Sequence, residues 1–530
     1  MASTFAGLVI SGNGLSASKV GLAVTSNNIS NMNTTGYSRQ VLIQNPIGPA
    51  AMYSRSYVGL GAKVESVDRV RDNLLDEKYW DENATLGEWE TRAGYLEEIE
   101  SVMGDADDTF STLMDDFYSA LEGVSTDPGS ASARTAVKEA GVAICDYLND
   151  SAARLTQLRQ DANTEVKTTV DQINSYAQQI ADLNKRISLA AASGAATNEL
   201  EDARGALIDE LSGLVDLDVD EVVVGTKADG TENKALTISI DGACLVSGDK
   251  VQQLECYEIA DGSDQDGMYG IRWAGTGANL DPDGGSLQAY LDIRDGDGTG
   301  SYSESKGIPY FMDQLDTFAR TFAAAFNEGI FEDGTTYYAG HAGGYTEDGE
   351  TGVRFFSCSY TDSSGNSFEA LLSGLDSAAA ANTQYTSLYT NLTAANISLS
   401  ADVLADADNI AAAASVNSDG SIDSEDNENM DALIELCESA KMFAGGTPED
   451  FMNSLVSTLG TTSSYAQSKS DRQTTIIEYL ENSRSSVAGV SSNEETANMT
   501  KYQKAYEASA QMISVWQEIY ATTINMVSSD

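Results

Sequence analysis

The sequence predicts a mainly α protein: a long helical bundle with coiled-coil-like N- and C-terminal helices and a small inserted β domain. Three observations lead to this prediction. Apolar side chains recur with a helical period at both ends of the chain and through most of its middle. Near residue 236 the period changes to two, which is typical of strands. A length of 530 residues suggests roughly two to four domains.

The first predicted helix carries a narrow apolar stripe that follows a heptad pattern. Its members are Phe5, Leu8, Leu15, Leu22 and Ile29. Gly12, Gly14 and Gly21 lie in the same stretch, and each costs about 1 kcal/mol against alanine inside a helix. We therefore expect this helix to need a partner in order to fold.

A second heptad stripe near the C-terminus provides the predicted partner. It consists of Met499, Tyr502, Tyr506, Ile513, Trp516, Tyr520 and Val527. A capping box of Ser491 with Glu494, or of Ser492 with Glu495, would begin this helix. Such a stripe usually serves helix packing rather than cofactor binding, and we expect Trp516 to pack only between chains in an assembly.

The middle of the sequence predicts an antiparallel helical hairpin. One apolar face runs through residues 166–187, and a second one runs through residues 200–214. The segment AASGAATN separates them and breaks the helical pattern. Asn198 with Glu201 would cap the second arm.

A small β unit is predicted after the hairpin. Leu236, Ile238 and Ile240 alternate with polar residues ahead of the dipeptide Asp241–Gly242, which is typical of a tight hairpin turn. Helical spacing returns over residues 312–328. It is followed by a Gly-, Tyr- and Ser-rich stretch that we interpret as a short variable surface region.

The charge and composition exclude several classes of partner. The chain has 82 acidic and 30 basic residues and a formal net charge of −52. This field repels nucleic acid and anionic membranes, so we expect no nucleic acid partner. The sequence has no apolar run that fits a membrane span and no signal-peptide pattern, so we expect neither membrane insertion nor a cleaved signal. The five cysteines form no C-x-x-C pair, which favours free thiols.

No pattern of catalytic or metal-binding residues stands out in the sequence. The single histidine, His341, lies in a glycine-rich loop and is predicted to be a solvated loop residue. The segment Asp292–Glu304 is similar to a calcium loop at Asp295 and Asp297, but Ile293 falls at the first ligand position and cannot bind the ion. We therefore expect no catalytic residue, no cofactor and no metal.

The stretch NNISNMNTTGYSRQ, residues 27–40, indicates a structured break after the first helix. It matches the pattern N-N-I-x-N-x-x-T-x-G-Y through Asn27, Asn28, Ile29, Asn31, Thr34, Gly36 and Tyr37. With this motif and the segment SVAGVSSNEETANMTKYQKAYEASAQMI near its C-terminus, the chain resembles the bacterial flagellar axial proteins, which comprise rod, hook and hook-associated proteins. The middle segments DQINSYAQQIADLNKRIS and FARTFAAAFNE are similar to the hook-associated protein 1 family of the hook–filament junction.

This resemblance implies a structural adaptor at the hook–filament junction that is needed for filament assembly and is not an enzyme. It implies a ring of about eleven copies. The partners would be the hook protein, a second hook-associated protein and an export chaperone that binds the C-terminal helix. It also implies export through the flagellum's own type III apparatus without a cleaved signal peptide. The stripe and turn residues named above would form the assembly interface.

The same resemblance divides the chain into four parts. The terminal helices would form an inner-tube domain that is disordered in the monomer, followed by a helical bundle domain, the β unit and the surface region. Their predicted ranges are 1–75 with 485–530, 76–214 with 285–330 and 396–484, 215–284, and 331–395. The alternatives are a flagellar hook or rod protein, a secreted helical adhesin or effector, and an acidic hydrolase built on the β-containing middle.

Overall fold

The computed structural model shows a mainly α protein, which confirms the predicted fold class. The described residues are 6–48, 59–103, 109–226, 232–260, 262–299, 305–332, 336–373, 383–418, 421–438, 442–443 and 446–527. Long helices form the frame, and the strands make small antiparallel sheets between them.

The N-terminal part consists of one helix and one strand pair. Helix α1 (Ala6–Ser30) is followed by the turn that the asparagine-rich motif predicts. Strands β1 (Gln40–Pro46) and β2 (Ala62–Arg69) then pair in antiparallel fashion. The pair lies against α1, where the Asn13 side chain donates to the Leu60 carbonyl oxygen at 2.9 Å.

Four helices build the bundle and its long hairpin: α2 (Asn73–Met103), α3 (Thr109–Thr126), α4 (Ala131–Ser193) and α5 (Asn198–Leu214). Helix α4 has 63 residues and is therefore about 95 Å long at 1.5 Å per residue. Gly194 ends it with φ 71° and donates its N–H to the Ala191 carbonyl oxygen, a left-handed cap that favours glycine. The predicted hairpin is confirmed.

The predicted cap of the second hairpin arm is wrong. The residue that precedes α5 is Thr197, whose hydroxyl donates to Glu201 Oε1 at 2.8 Å. Asn198 instead donates its side-chain amide to the Val67 carbonyl oxygen at 2.9 Å. A contact with strand β2, distant in sequence, therefore takes the side chain that local sequence rules assign to the cap.

The β unit follows α5. Strands β3 (Asp218–Thr226), β4 (Glu232–Ile240), β5 (Ala243–Ser247) and β6 (Lys250–Val251) form one antiparallel sheet in that order. Asp241 and Gly242 both have positive φ, 48° and 69°, as a type I′ hairpin turn requires. Strands β7 (Leu254–Glu258) and β8 (Tyr269–Trp273) form a second pair.

The remaining elements complete the bundle and lead to the C-terminal helix. The helices are α6 (Gly285–Asp295), α7 (Ile308–Glu328), α8 (Phe368–Ser373), α9 (Thr383–Tyr389), α10 (Ala401–Ala405), α11 (Glu428–Glu438), α12 (Pro448–Ala488) and α13 (Ser492–Val527). The strands are β9 (Ile330–Glu332), β10 (Thr336–Tyr338), β11 (Phe356–Cys358) and β12 (Ile397–Leu399). Thr447 and Asp450 begin α12 with a capping box. Ser491 Oγ accepts the Glu494 N–H at 3.5 Å ahead of α13, so the first of the two predicted capping pairs is the one formed.

The described residues bury two apolar cores. One lies between α3, α4, α7 and α11 and is rich in phenylalanine. The other lies between the second half of α4, α5 and the β unit, and Ile180, Leu211 and Ile238 belong to it. Both cores include residues of α4, so this helix links the β unit to the phenylalanine-rich core.

Aromatic side chains of the described part of residues 331–395 belong to the first core, so this part is not only a surface region. Phe355, Phe356 and Phe368 are fully buried there, and Tyr389 is 2% exposed. Phe355 packs against Phe117 of α3 with ring centroids 5.9 Å apart. Low helical and strand periodicity in this range led to the surface prediction, but irregular segments can bury aromatic side chains as well as regular ones do.

His341 is likewise buried, so its prediction as a solvated loop residue is wrong. Its ring has no exposed surface, Nδ1 contacts the Val353 carbonyl oxygen at 2.8 Å, and Nε2 accepts the Ala411 N–H at 2.9 Å. Burial lowers the pKa of His341 to about 4, which keeps the ring neutral near pH 7. The side chain joins two irregular segments that are distant in sequence.

Candidate assembly interface

The two terminal helices lie antiparallel against each other along a face of small residues on α1. Gly7, Gly14 and Gly21 are one heptad apart, and they oppose Trp516, Ser509 and Tyr502 of α13, which are also one heptad apart. A Cβ atom at Gly7 would lie 2.1 Å from Trp516 Cε2, and one at Gly21 would lie 2.6 Å from Tyr502 Cδ1. Glycine is therefore required at both positions for the aromatic rings to reach the α1 backbone.

Small polar residues lie between these glycines along α1 and continue the same face beyond Gly21. Ser11, Ser18, Thr25 and Asn28 are buried on the same face. The hydroxyls of Ser11 and Ser18 donate to the carbonyl oxygens of Gly7 and Gly14 at 2.9 and 2.8 Å. The face therefore satisfies its own hydroxyl groups and leaves room for the rings of α13.

The predicted apolar stripe of α1 lies beside this face rather than on it. Leu8, Leu15, Leu22 and Ile29 are half-buried, and each comes one residue after a member of the small-residue face. Phe5 lies outside the described residues. A rotation of about 100° per residue separates the two stripes, so the leucines form the edge of the contact.

On α13 the predicted stripe divides between two faces. Tyr502, Ile513, Trp516 and Tyr520 are half-buried, and the rings of Trp516 and Tyr520 stack with centroids 5.9 Å apart. Met499 and Tyr506 are exposed, and the side chain of Val527 lies outside the described part. The expectation that Trp516 packs only between chains is wrong, because the same chain supplies Gly7 as its contact. A second apolar stripe stays open on this helix, formed by Met512, Val515, Ile519 and Met526.

Asn28 is the centre of the turn that follows α1. Its side-chain amide donates to the Gln40 carbonyl oxygen at 2.9 Å. Its Oδ1 accepts the Gln40 N–H at 2.9 Å and the Tyr37 hydroxyl at 2.8 Å. Burial, then the charge of Asp202, raises the pKa of Tyr37 to about 12, so the hydroxyl remains a donor. One asparagine thus closes the turn on both sides.

The other motif residues shape the turn and fix it to α5. Asn31 donates to the carbonyl oxygen and to Oδ1 of Asn27 at 3.0 and 2.8 Å. Asn27 donates to Glu199 Oε1 at 3.1 Å. Thr34 donates its N–H to the Asn31 carbonyl oxygen at 2.9 Å, and Gly36 has φ 78°, a left-handed conformation that favours glycine. The structure therefore brings Asn27, Asn28, Asn31, Thr34, Gly36 and Tyr37 together in one turn.

Three consecutive backbone amides after the turn bind three different elements. The N–H of Ser38 donates to Asp202 Oδ2 of α5 at 3.1 Å. The N–H of Arg39 donates to the Ala488 carbonyl oxygen at the end of α12 at 2.7 Å. The N–H of Gln40 donates to Asn28 of α1, as described above. We call residues 38–40 the amide node.

Ion pairs reinforce the amide node on both sides. Arg69 of β2 contacts Glu201 Oε2 at 2.6 Å and Asp202 Oδ1 at 2.8 Å. Arg39 contacts Glu494 Oε2 in the first turn of α13 at 3.1 Å. The N-terminal turn, the bundle and the start of the C-terminal helix are therefore joined at one place.

Three comparisons with known proteins agree with this arrangement. The family model "Flagellar hook-associated protein FlgK helical domain" matches residues 96–356. "Flagella basal body rod protein" matches residues 8–37, and "Flagellar basal body rod FlgEFG protein C-terminal" matches residues 481–526. The chain is 28% identical to "Flagellar hook-associated protein 1" of Bacillus subtilis, over 99% of both chains, and 25% identical to the Escherichia coli protein of that name, over 97% of this chain and 98% of the relative. Over nearly its whole length the chain is similar to the flagellar hook-associated protein 1 family.

The fold agrees with this similarity. The chain is similar to the flagellar hook junction protein FlgK from Burkholderia pseudomallei, with a TM-score of 0.58 at 16% identity, over 79% of this chain and all of that one. This protein is a structural component of the bacterial flagellum. It assembles with other flagellar axial proteins. None of the described helices is both long and apolar enough to cross a membrane.

The calcium-like loop has its carboxylates bound elsewhere. Asp292 pairs with Arg92, and Asp295 pairs with Arg294 at 2.6 Å. Among the described residues, no group of three His, Cys, Asp or Glu side chains could hold a metal ion. Glu304 lies outside the described part. The five cysteines are free, as predicted.

The amide node and the glycine face are not among the features predicted from the sequence. Ser38, Arg39, Arg69 and Asp202 carry no motif, since their roles depend on contacts between segments far apart in sequence. The glycine face did have a signal, because Gly7, Gly14 and Gly21 repeat with the same period as the leucines. That period was assigned to the leucines alone.

Proposed function

We propose that this protein is the adaptor that joins the hook to the filament and that filament assembly needs it. The observation that carries the proposal is the pairing of α1 with α13. The two ranges that match rod-protein family models cover most of these helices, so the ends have an axial-protein character while the middle matches the hook-associated helical domain. An adaptor between two axial structures needs this combination of shared ends and a distinctive body.

The terminal helices would form the contact between copies. The open stripe of Met512, Val515, Ile519 and Met526 is apolar and lies on a helix that already has one partner. Apolar stripes at heptad spacing bury themselves against further helices. We infer a closed ring of about eleven copies, in which the predicted stripe and turn residues lie at or beside the interface. The division into an inner-tube part, a bundle, a β unit and residues 331–395 is part of this proposal.

The partners and the route of export complete the proposal. The hook protein would lie on one side of the ring and a second hook-associated protein on the other, and an export chaperone would bind the C-terminal helix before assembly. Export would use the flagellum's type III apparatus without a cleaved signal peptide, and the terminal helices would be disordered in the free monomer. The protein would have no enzymatic activity.

Immunogold labelling of isolated flagella tests this position. An epitope placed at Gly262, in an exposed loop between β7 and β8 with open space around it, leaves both terminal helices intact. We expect a single gold band between hook and filament. Label along the hook, or at the rod, would favour the alternative of a hook or rod protein. The same tag in a strain that makes no hook is the control, and it should give no band.

A further inference from the structure

The N-terminal segment has the opposite charge to the rest of the protein. Residues 1–71 contain six basic and two acidic residues, whereas the whole chain contains 30 and 82. A positive segment in so acidic a chain is attracted to the carboxylates of its own bundle. The arginines of this segment show where that attraction acts.

Each described arginine of the segment binds a carboxylate of another element. Arg39 binds Glu494 of α13. Arg69 binds Glu201 and Asp202 of α5. Arg71 binds Asp76 of α2 at 2.6 Å. The described arginines of the segment therefore form ion pairs within the chain. Most of these ion pairs lie beside the amide node.

The first two turns of α5 are the receiving site. Asp202, whose side chain is 7% exposed, accepts from both Arg69 and the Ser38 N–H. Glu199 accepts from the Gln40 side chain at 3.0 Å and from Asn27, and these hydrogen bonds, that of Gln40 first, lower its pKa. Every residue named here as a donor to Glu199 and Asp202 comes from residues 27–69.

The two ends of the chain meet at this site. Arg39 lies in the amide node, and it reaches forward to the end of α12 through its N–H and to α13 through its guanidinium. Asp202 of α5 accepts the backbone N–H of Ser38, the residue before Arg39. The N-terminal segment can make all these contacts only when the start of α13 is in place.

We propose that the first two turns of α5 are the docking site for the terminal segments and that docking requires both chain ends together. The terminal helix pair is thereby fixed at one angle to the bundle. Asp202 is the main positioning residue, because its carboxylate is buried and binds a backbone amide as well as an arginine. Arg39 and Glu494 are more exposed, so their ion pair contributes less to stability and more to the choice of partner.

Two sets of full-length variants in complemented deletion cells test the docking. Asp202→Ala and Arg69→Gln should leave the melting temperature of the purified protein's bundle unchanged and should release most filament protein into the medium. Asp182→Asn is the control, since Asp182 is an exposed carboxylate of α4 that accepts a hydrogen bond from the Gln178 side chain of the same helix. Retention of filaments by Asp202→Ala, or a bundle that melts several degrees lower, would overturn the docking role.

A charge exchange tests the requirement for both ends. Arg39→Glu and Glu494→Arg should each release roughly two- to fivefold more filament protein than the parent, as expected for an exposed ion pair. The double variant should restore attachment. Single variants that behave like the parent, or a double variant that is no better than either, would contradict the coupling. The readout rests on the proposed function, which fails separately if deletion of the whole gene leaves filaments attached.

Discussion

Replacement of single glycines in α1 distinguishes the contact face from the rest of the helix. Gly21→Ala places a Cβ atom 2.6 Å from the Tyr502 ring, while Gly12→Ala places one where no atom lies within 4 Å. Both changes favour the isolated helix by about 1 kcal/mol. The comparison therefore isolates the contact from helix propensity.

The expected magnitudes follow from these distances. Overpacking costs about 1–3 kcal/mol, so Gly21→Ala should weaken the pairing of α1 with α13 by roughly 0–2 kcal/mol in total. Gly12→Ala should strengthen it by about 1 kcal/mol. Gly14→Ala should fall between them, because its Cβ would lie 3.0 Å from Ser509 Oγ, which can rotate away. Gly7→Ala should be the most severe, since Trp516 lies at 2.1 Å and is larger.

Thermal release of filaments measures this order. Cells that carry each variant are heated stepwise, and the filament protein in the medium is quantified. We expect the release temperature to fall in the order Gly12→Ala, Gly14→Ala, Gly21→Ala, Gly7→Ala. Hydrogen exchange of α1 peptides in isolated flagella should give the same order. Equal behaviour of Gly12→Ala and Gly21→Ala in both measurements would refute the glycine face.

Three further predictions concern the bundle, the loop and the ends. His341 is neutral when buried, and its pKa is about 4 instead of 6.5. The free energy of unfolding of the parent should therefore fall by roughly 3 kcal/mol between pH 6.5 and pH 4, because the unfolded chain binds a proton there and the folded chain does not. His341→Gln should be less stable than the parent at pH 7, and urea titrations of this variant should lack the His341-dependent loss. Calorimetric titration with calcium should be featureless, and tight binding abolished by Asp295→Ala would contradict the absence of a site. Limited digestion of the dilute monomer should remove both ends before it cuts residues 80–480, and protected ends would show that α1 and α13 pair without the assembly.

Local chemistry was enough to predict the regular elements. The Asp241–Gly242 turn follows from two adjacent residues that tolerate positive φ, and Gly194 ends α4 for a related reason. The arms of the α4–α5 hairpin follow from apolar side chains repeated on one helical face. In each case neighbours in the sequence supply the whole cause.

Hydrophobic periodicity located the contact between the terminal helices and the rings of α13 that face α1, but it did not locate the glycine face of α1. The pattern marks apolar side chains, and glycine has none, so Leu15 and Leu22 were chosen over Gly14 and Gly21. The buried face is set by what α13 presents, and large rings at Trp516 and Tyr502 require an opposing backbone without side chains. A heptad of glycine opposite a heptad containing aromatic residues would have indicated this arrangement.

Long-range polar contacts could not be predicted from the sequence. His341 was misplaced because Val353 and Ala411, its two partners, lie in segments without a regular pattern. The amide node depends on Asp202 and Ala488, which are hundreds of residues apart. Such contacts arise only after the helices have packed.

Electron microscopy of cells that lack this gene tests the central claim most directly. If the protein joins hook to filament, the deletion cells should carry hooks of normal length without filaments, and filament protein should collect in the medium. Complementation with the full chain should restore the filaments. Filaments that remain attached to hooks in the deletion cells would contradict the account.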